Sequence, residues 1–307
     1  MRIIFLICFL TGLSACTYST VGNMHREIGK RFYYASDKFL NYRTSGQGRQ
    51  PLIFLHGFGA SCLAWTELLP LLDESKNRCI IFDLIGFGYS SKPRDSDYSM
   101  AANADAIIKY ITENHLTNYI LVGHSFGGGV ALLTAIKTLN GKLTPPKAII
   151  LLDAAAYNTN IPFFVSRLRI PVLGQLLLSL TSAEFQARYT LERIYFDKRK
   201  VTDDIVKKYA YFMRLPGHDY ALMQAAKQII PNDFDQYVNS YKKLNIPVLI
   251  LWGQNDPVLP VSLGERLADD LPNATLQIIP ECGHNIQEEC PRQTANAINK
   301  FLIVIGE

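Results

Sequence analysis

Short, largely apolar runs recur along the chain at residues 51–55, 79–82, 119–122, 148–152, 248–252 and 274–279. Runs of that length, bounded by loops, read as strands buried on both faces. Between and after them, residues 101–113, 126–137 and 293–304 carry apolar side chains at helical spacing. Ahead of them, residues 31–44 hold two short runs rich in Tyr and Phe, which predict an opening antiparallel pair. Strands that alternate with helices predict an α/β protein whose mostly parallel sheet is flanked by helices.

The alternation breaks between Ala155 and Pro247, a stretch longer than any ordinary crossover and mostly helical by pattern. It contains Phe163, Phe164, Leu168, Val172, Leu173 and Leu176 to Leu178. This predicts a helical cap at residues 155–235, inserted after the strand that ends near Asp153. The core is then 31–154 together with 236–307. No internal repeat or low-complexity tract is present.

The N-terminus has a different pattern. Arg2 precedes an apolar run from Ile3 to Leu10, too short for a spanning helix of about 20 residues. It reads as the charged and apolar regions of a secretory signal. Leu13-Ser14-Ala15-Cys16 then resembles the lipobox of bacterial lipoproteins, in which the cysteine is diacylated and becomes the first residue. The alternatives are an ordinary signal peptide with an incidental cysteine, or a buried first strand. The lipobox reading makes residues 1–15 a signal peptide, Cys16 a lipidation site and 16–30 a polar tether. The resemblance implies a lipid anchor in the bacterial cell envelope in place of a transmembrane span. Thr17 follows the cysteine, with no Asp to mark inner-membrane retention, so the outer membrane is the expected site.

Composition narrows the partners. The chain of 307 residues has 31 basic and 27 acidic side chains, a formal charge of +4, with the signs interspersed. That excludes the basic footprint of a nucleic-acid binder. Of six cysteines, Cys8 would leave with the signal. Cys62, Cys79, Cys282 and Cys290 remain beside Cys16. An oxidising envelope permits disulfides, and a local Cys282–Cys290 bridge is conceivable. Cys79 lies in an apolar run and reads as a small buried hydrophobe. No Cys/His spacing suggests a metal, and no organic cofactor is implied.

The chemistry concentrates in Gly123-His124-Ser125-Phe126-Gly127, which fits G-x-S-x-G between an expected strand and an expected helix. Such a turn strains the serine and requires small neighbours, and it presents the serine at a helix N-terminus where negative charge is stabilised. A serine needs a base. Of six histidines, His284 follows the last expected strand in a Gly-His loop and is the best candidate. The base in turn needs a carboxylate. Asp256, in Trp252-Gly253-Gln254-Asn255-Asp256-Pro257, is the first choice. Asp153, at another strand end, is its competitor, and Asp83 reads as a structural turn residue.

These motifs, with His56-Gly57-Phe58-Gly59 and Asp83-Leu84-Ile85-Gly86-Phe87-Gly88, resemble the α/β-hydrolase superfamily over residues 31 to 307. More narrowly, they resemble its cap-bearing branch of esterases, lipases, epoxide hydrolases, dehalogenases and C–C hydrolases. The resemblance implies a catalytic triad of Ser125, Asp256 and His284, with an oxyanion hole made by the Phe58 and Phe126 amides. It implies no metal or cofactor. Epoxide hydrolases and dehalogenases of this fold use an aspartate nucleophile where this chain has Ser125. C–C hydrolases of dienol-ketones typically have Asn before the nucleophile, Trp after the histidine and an arginine from the cap. Here His124 and Asn285 take the first two places; Arg188 or Arg193 could serve as the third, but the favoured reading of both is an exposed helix face. The expected activity is therefore hydrolysis of a carboxylic ester, lipophilic or of short to medium acyl chain, with C–C hydrolysis of a dienol-ketone as the alternative. A non-catalytic binding lipoprotein is the least favoured reading.

Overall fold

In a computed structural model, the structure describes residues 28–139, 141, 143–159, 161–231 and 234–306. The expected signal peptide, Cys16 and the tether up to residue 27 lie outside the described residues.

Eight strands form one sheet: β1 Lys30–Tyr33, β2 Phe39–Ser45, β3 Gln50–Leu55, β4 Asn77–Phe82, β5 Ile120–His124, β6 Ala148–Leu152, β7 Val248–Gly253 and β8 Ala274–Ile279. Their order is β1-β2-β4-β3-β5-β6-β7-β8. The β1–β2 and β2–β4 pairs are antiparallel, and all other pairs are parallel. The register sets Phe54 beside Val122, and Leu152 beside both His124 and Leu251. The central strands β5, β6 and β7 are buried along their whole length, which is why they read as unbroken apolar runs. Edge strand β8 alternates for most of its length because one of its faces meets solvent.

Helices α1 Met100–Glu113 and α2 Phe126–Thr138 follow β4 and β5. Ser99 caps α1 by accepting the Ala102 N–H at 3.2 Å. Helix α2 is buried on nearly every side, so its moment is weak and its apolar run long. The link from β3 to β4 holds only two short 3₁₀ turns, Cys62–Trp65 and Leu69–Leu71.

Between β6 and β7 the described residues form six α-helices: α3 Phe163–Leu168, α4 Pro171–Leu180, α5 Ala183–Ile194, α6 Asp203–Met213, α7 His218–Lys227 and α8 Phe234–Val238. Ala187, Leu191, Ile194, Val206 and Ala210 give α5 and α6 a small core of their own. The boundary expected between residues 235 and 236 falls inside α8. Helix α9 Val261–Asp270 was not foreseen, because Gly264 interrupts its apolar stripe. The glycine is there for contact: a Cβ on it would lie 2.6 Å from the Trp252 ring. Helices α10 Ile286–Glu289 and α11 Pro291–Val304 close the chain.

Candidate active site

The site lies where the parallel strands end, each handing one loop to the same cavity. Strand β5 ends at His124, and α2 starts at Phe126. Ser125 between them has φ 50° and ψ −118°, a strained conformation for a residue with a Cβ. The turn is held from three sides. Ser125 N–H donates to Leu152 O at 2.9 Å, and its carbonyl accepts from Gly128 and Ala155, each at 2.9 Å. Its glycine neighbours are there for space. A Cβ on Gly123 would stand 2.4 Å from Gly127 O, and one on Gly127 would stand 2.1 Å from Leu55 O.

Strand β3 ends at Leu55 and runs into the loop His56-Gly57-Phe58. His56 is fully buried, and its Nε2 accepts the Leu84 N–H at 3.0 Å. Its Nδ1 is therefore the protonated nitrogen and donates to Gly57 O at 2.8 Å. Burial holds this imidazole below its ordinary pKa, so it stays neutral. In a trans peptide the C=O and N–H point opposite ways. Tying the Gly57 carbonyl to His56 thus turns the Phe58 N–H the other way, and Phe58 lines the cavity. The loop sits against the serine turn, since a Cβ on Gly57 would be 3.3 Å from Ser125 Cβ. Among the described residues, neither the Phe58 nor the Phe126 amide has an acceptor. Phe126 N–H belongs to the open first turn of α2.

Asp256 follows β7 and His284 follows β8. His284 Nδ1 donates to Asp256 Oδ2 at 2.7 Å, with both side chains almost wholly buried. Asp256 Oδ1 accepts the Val258 and Leu259 N–H groups at 2.7 and 2.9 Å, which fixes the carboxylate in place. With Nδ1 committed, Nε2 is the nitrogen left to act on the cavity that His284 shares with Ser125. His124 donates from Nε2 to His284 O at 2.9 Å. Burial, and then the neighbouring His284, keep the His124 imidazole far below its ordinary pKa.

Asp153 stands beside this pair. Asp153, Asp256 and His284 each present one ligand atom, and those atoms lie within 4.8 Å of one another. Asp153 does not bond to His284. Its Oδ1 accepts the Gly253 N–H at 2.7 Å. Burial, then the charge of Asp256, push its carboxyl well above the usual carboxylate range, so it is neutral. Asp256, and not Asp153, is the partner of the histidine. Asp83 is structural: it accepts from Asn41, Cys62 and Tyr89 and closes the loop after β4.

Several contributors were not foreseen. Glu289 is buried, and its carboxylate accepts the N–H groups of Gly283, Phe196 and Asp197 at 2.8, 3.2 and 2.7 Å. It thereby ties the histidine loop to the loop after α5, and His284 N–H adds a bond to Ile194 O at 2.8 Å. Across the same loop Cys282 and Cys290 form the local bridge that the sequence allowed, while Cys62 and Cys79 are free and buried. Glu288 accepts from Tyr209 at 2.7 Å and Asn285 at 2.6 Å. Burial pushes its carboxyl up to about 7 in spite of those bonds. Only the run of glutamates near a Gly-His loop could have hinted at either role, and it has no distinctive spacing.

Together these loops floor a cavity of about 180 Å³ whose roof is the inner faces of α3, α5, α6 and α7. Val165, Leu191, Met213 and Leu222 make it largely apolar. Thr190, Tyr209 and His218 are polar residues of the roof, and His218 is the titratable imidazole among them. It is 4 % exposed, its Nε2 has no partner among the described residues, and burial, then Lys92, take its pKa down to about 4. Among the described residues, no Lys or Arg lines the cavity. Arg188 instead pairs with Asp203 and Glu192, and Arg193 stacks on Tyr189 at the surface.

Comparison with known proteins agrees with this architecture. The family model for the alpha/beta hydrolase fold matches residues 50–291, and the chain belongs to that family. It is 27% identical to 2-hydroxymuconate semialdehyde hydrolase of Pseudomonas sp. (strain CF600), over 90% of this chain and 94% of that one. It is 26% identical to Lipase 3 of Moraxella sp. (strain TA144), covering 87% of this chain and 82% of the lipase. Among solved structures, a meta-cleavage product hydrolase of Pseudomonas fluorescens IP01 superposes with a TM-score of 0.75 at 25% identity, covering 92% of this chain and 99% of that one.

Proposed function

We propose that this alpha/beta hydrolase cleaves a small, lipophilic carboxylic ester through an acyl-enzyme on Ser125, with His284 as base and Asp256 as its orienting carboxylate. The observation that carries the ester reading is a strained serine in a largely apolar cavity that, among the described residues, has no cationic side chain. An anionic substrate would leave water for that cavity with no countercharge, at a cost of several kcal/mol. An ester is neutral and meets no such cost.

In the first step His284 Nε2 takes the Ser125 hydroxyl proton as Oγ bonds to the carbonyl carbon. The oxygen that becomes negative is placed to meet the Phe58 and Phe126 amides, each such donor contributing roughly 3 kcal/mol in the transition state. Asp256 holds the Nδ1–H tautomer and stabilises the imidazolium. Collapse breaks the ester C–O bond, and Nε2 returns its proton to the leaving alkoxide. Water, deprotonated by the same nitrogen, then releases the acid and regenerates Ser125. His56 contributes by holding the Phe58 amide in place.

C–C hydrolysis is the second reading, favoured by the names of two relatives and opposed by the lack of an arginine among the described residues of the cavity. Turnover of nitrophenyl esters from acetyl to palmitoyl separates the two. A rate that falls on the order of 10⁴- to 10⁶-fold in Ser125→Ala supports the ester reading. Its chain-length optimum would also size the acyl site. A folded enzyme inert to every ester but active on a dienol-ketone would replace it.

We further propose that Cys16 carries the lipid anchor and that the domain works in the cell envelope. The Cys282–Cys290 disulfide supports this, since such bridges persist in oxidising compartments. Mass spectrometry of the mature chain tests it, and an unmodified Cys16 would refute it.

A further inference from the structure

Helix α4 is apolar on both sides. Gly174 and Leu178 are buried against the protein, yet Val172, Leu176 and Leu180, spaced four apart, form an outward stripe. Val172 is 73 % and Leu180 79 % exposed. The stripe is extended by Phe163, Ile170 and Phe185, all more than half exposed. The polar exceptions in α4, Gln175 and Ser179, bond to each other at 3.0 Å. A helix that is hydrophobic all round belongs in a core or against lipid, and a soluble surface rarely leaves so large a patch uncovered.

Within residues 154–183 the charges have one sign, and the next acidic residue, Glu184 beside Phe185, is paired with Arg214. From residue 154 to residue 183 the chain has no acidic side chain, while it has Arg167 and Arg169. Neither arginine has a carboxylate partner among the described residues, and Arg167 stacks on exposed Phe163 at 3.7 Å. Exposed Leu and Phe rimmed by unpaired Arg is the composition of a segment that lies in a membrane interface. On the inner side, Val165 and Leu168 of α3 line the cavity.

We propose that the outer face of α3 and α4 docks on an anionic lipid surface, inserting the Val172–Leu176–Leu180 stripe among the headgroups. This contact is separate from any lipid on Cys16: the anchor tethers, whereas the stripe orients the domain with one wall of its cavity against the lipid. That the wall admits lipophilic ester rests on the proposed function. The docking does not.

The test uses the full chain with Cys8→Ser and Cys16→Ser, which removes the lipid on Cys16; whatever tethering the apolar run Ile3–Leu10 supplies is common to both labelled positions. An environment-sensitive fluorophore is attached at Leu180→Cys or, as a control on α11, at Lys300→Cys. Vesicles of phosphatidylethanolamine and phosphatidylglycerol are expected to shift the emission to the blue at Leu180→Cys and not at Lys300→Cys. Adding Arg167→Gln and Arg169→Gln is expected to raise the lipid concentration for half the shift roughly tenfold or more. No shift at Leu180→Cys overturns the proposal, and so does an equal shift at both positions. A shift that grows with protein concentration in the absence of vesicles assigns the patch to a second copy of the chain and also overturns it. Retained ester turnover in each labelled protein shows that the fold is intact. Loss of the ester activity in Ser125→Ala leaves this readout unchanged.

Discussion

Glu289 Oε2 accepts the backbone N–H of Gly283 at 2.8 Å, one residue before His284. The same carboxylate bonds Phe196 and Asp197, beyond the end of α5, so one buried charge joins the histidine loop to the helical insertion. Glu289→Gln keeps the shape but presents an amide N–H to one of these donors. Hydrogen bonds to charged groups are worth about 1.5–3 kcal/mol each. Urea unfolding is expected to show a loss of about 2 kcal/mol or more. A shift of the loop by about 1 Å costs on the order of a hundredfold in turnover, so kcat is expected to fall in that range.

Asp153 and Asp256 are to be told apart by the same substitution. Asp153 is held neutral by burial beside Asp256. Asp153→Asn keeps a neutral group and an oxygen for the Gly253 N–H, so ester turnover is expected to stay within a few-fold of the parent. Asp256→Asn removes the acceptor of His284 Nδ1–H and is expected to lower kcat about 10⁴-fold. Equal losses in the two variants would assign the orienting charge to the pair and not to Asp256.

The disulfide closes a short loop, eight residues from Cys282 to Cys290, that contains His284. The loop-entropy relation for that length gives about 2–3 kcal/mol. The Cys282→Ala, Cys290→Ala double variant is expected to lose that much in unfolding free energy. Reducing agent should have little effect on the double variant and should destabilise the parent by a comparable amount.

His218 makes stability depend on pH. Its pKa is about 4 when folded against an ordinary 6.5, because burial, then Lys92, oppose its charge. The unfolded chain therefore binds the proton first. The group has no effect on the pH dependence above about 6.5, and its native-state stability is lost as pH falls from 6.5 towards 4. Between pH 7 and 4.5 that loss is about 2 kcal/mol. His56 and His124, also buried and lowered, add in the same direction. Glu288, raised to about 7 by burial, acts in the opposite sense: its contribution is full below about 4.5 and is lost as pH rises to 7. Urea unfolding of His218→Asn at both pH values is expected to show a drop smaller than the parent's by about 2 kcal/mol. An unchanged drop would sink the assignment.

The fold was legible in the sequence wherever burial on both faces left no choice of residue type. Strands β3 to β7 are near-unbroken apolar runs because helices cover both sides of the sheet, and α2 follows Ser125 because the turn admits only glycine at Gly123 and Gly127. The serine, aspartate and histidine were legible for a related reason: each sits at a strand end, within a short motif whose small residues are dictated by local sterics. The signal sequence and the Cys16 anchor are proposals from composition alone, and they lie outside the described residues. What depended on contacts between distant segments was hidden. The neutrality of Asp153 depends on how near Asp256 comes, 103 positions away in the chain. The role of Glu289 depends on three amides, two of them more than 90 positions away. Arg188 and Arg193 read mainly as an exposed helix face, and the packing of α5 puts both at the surface. Local sequence specifies the backbone at each strand end. Charge, protonation and access in the cavity come from the fields and volumes of groups that only the folded chain brings together.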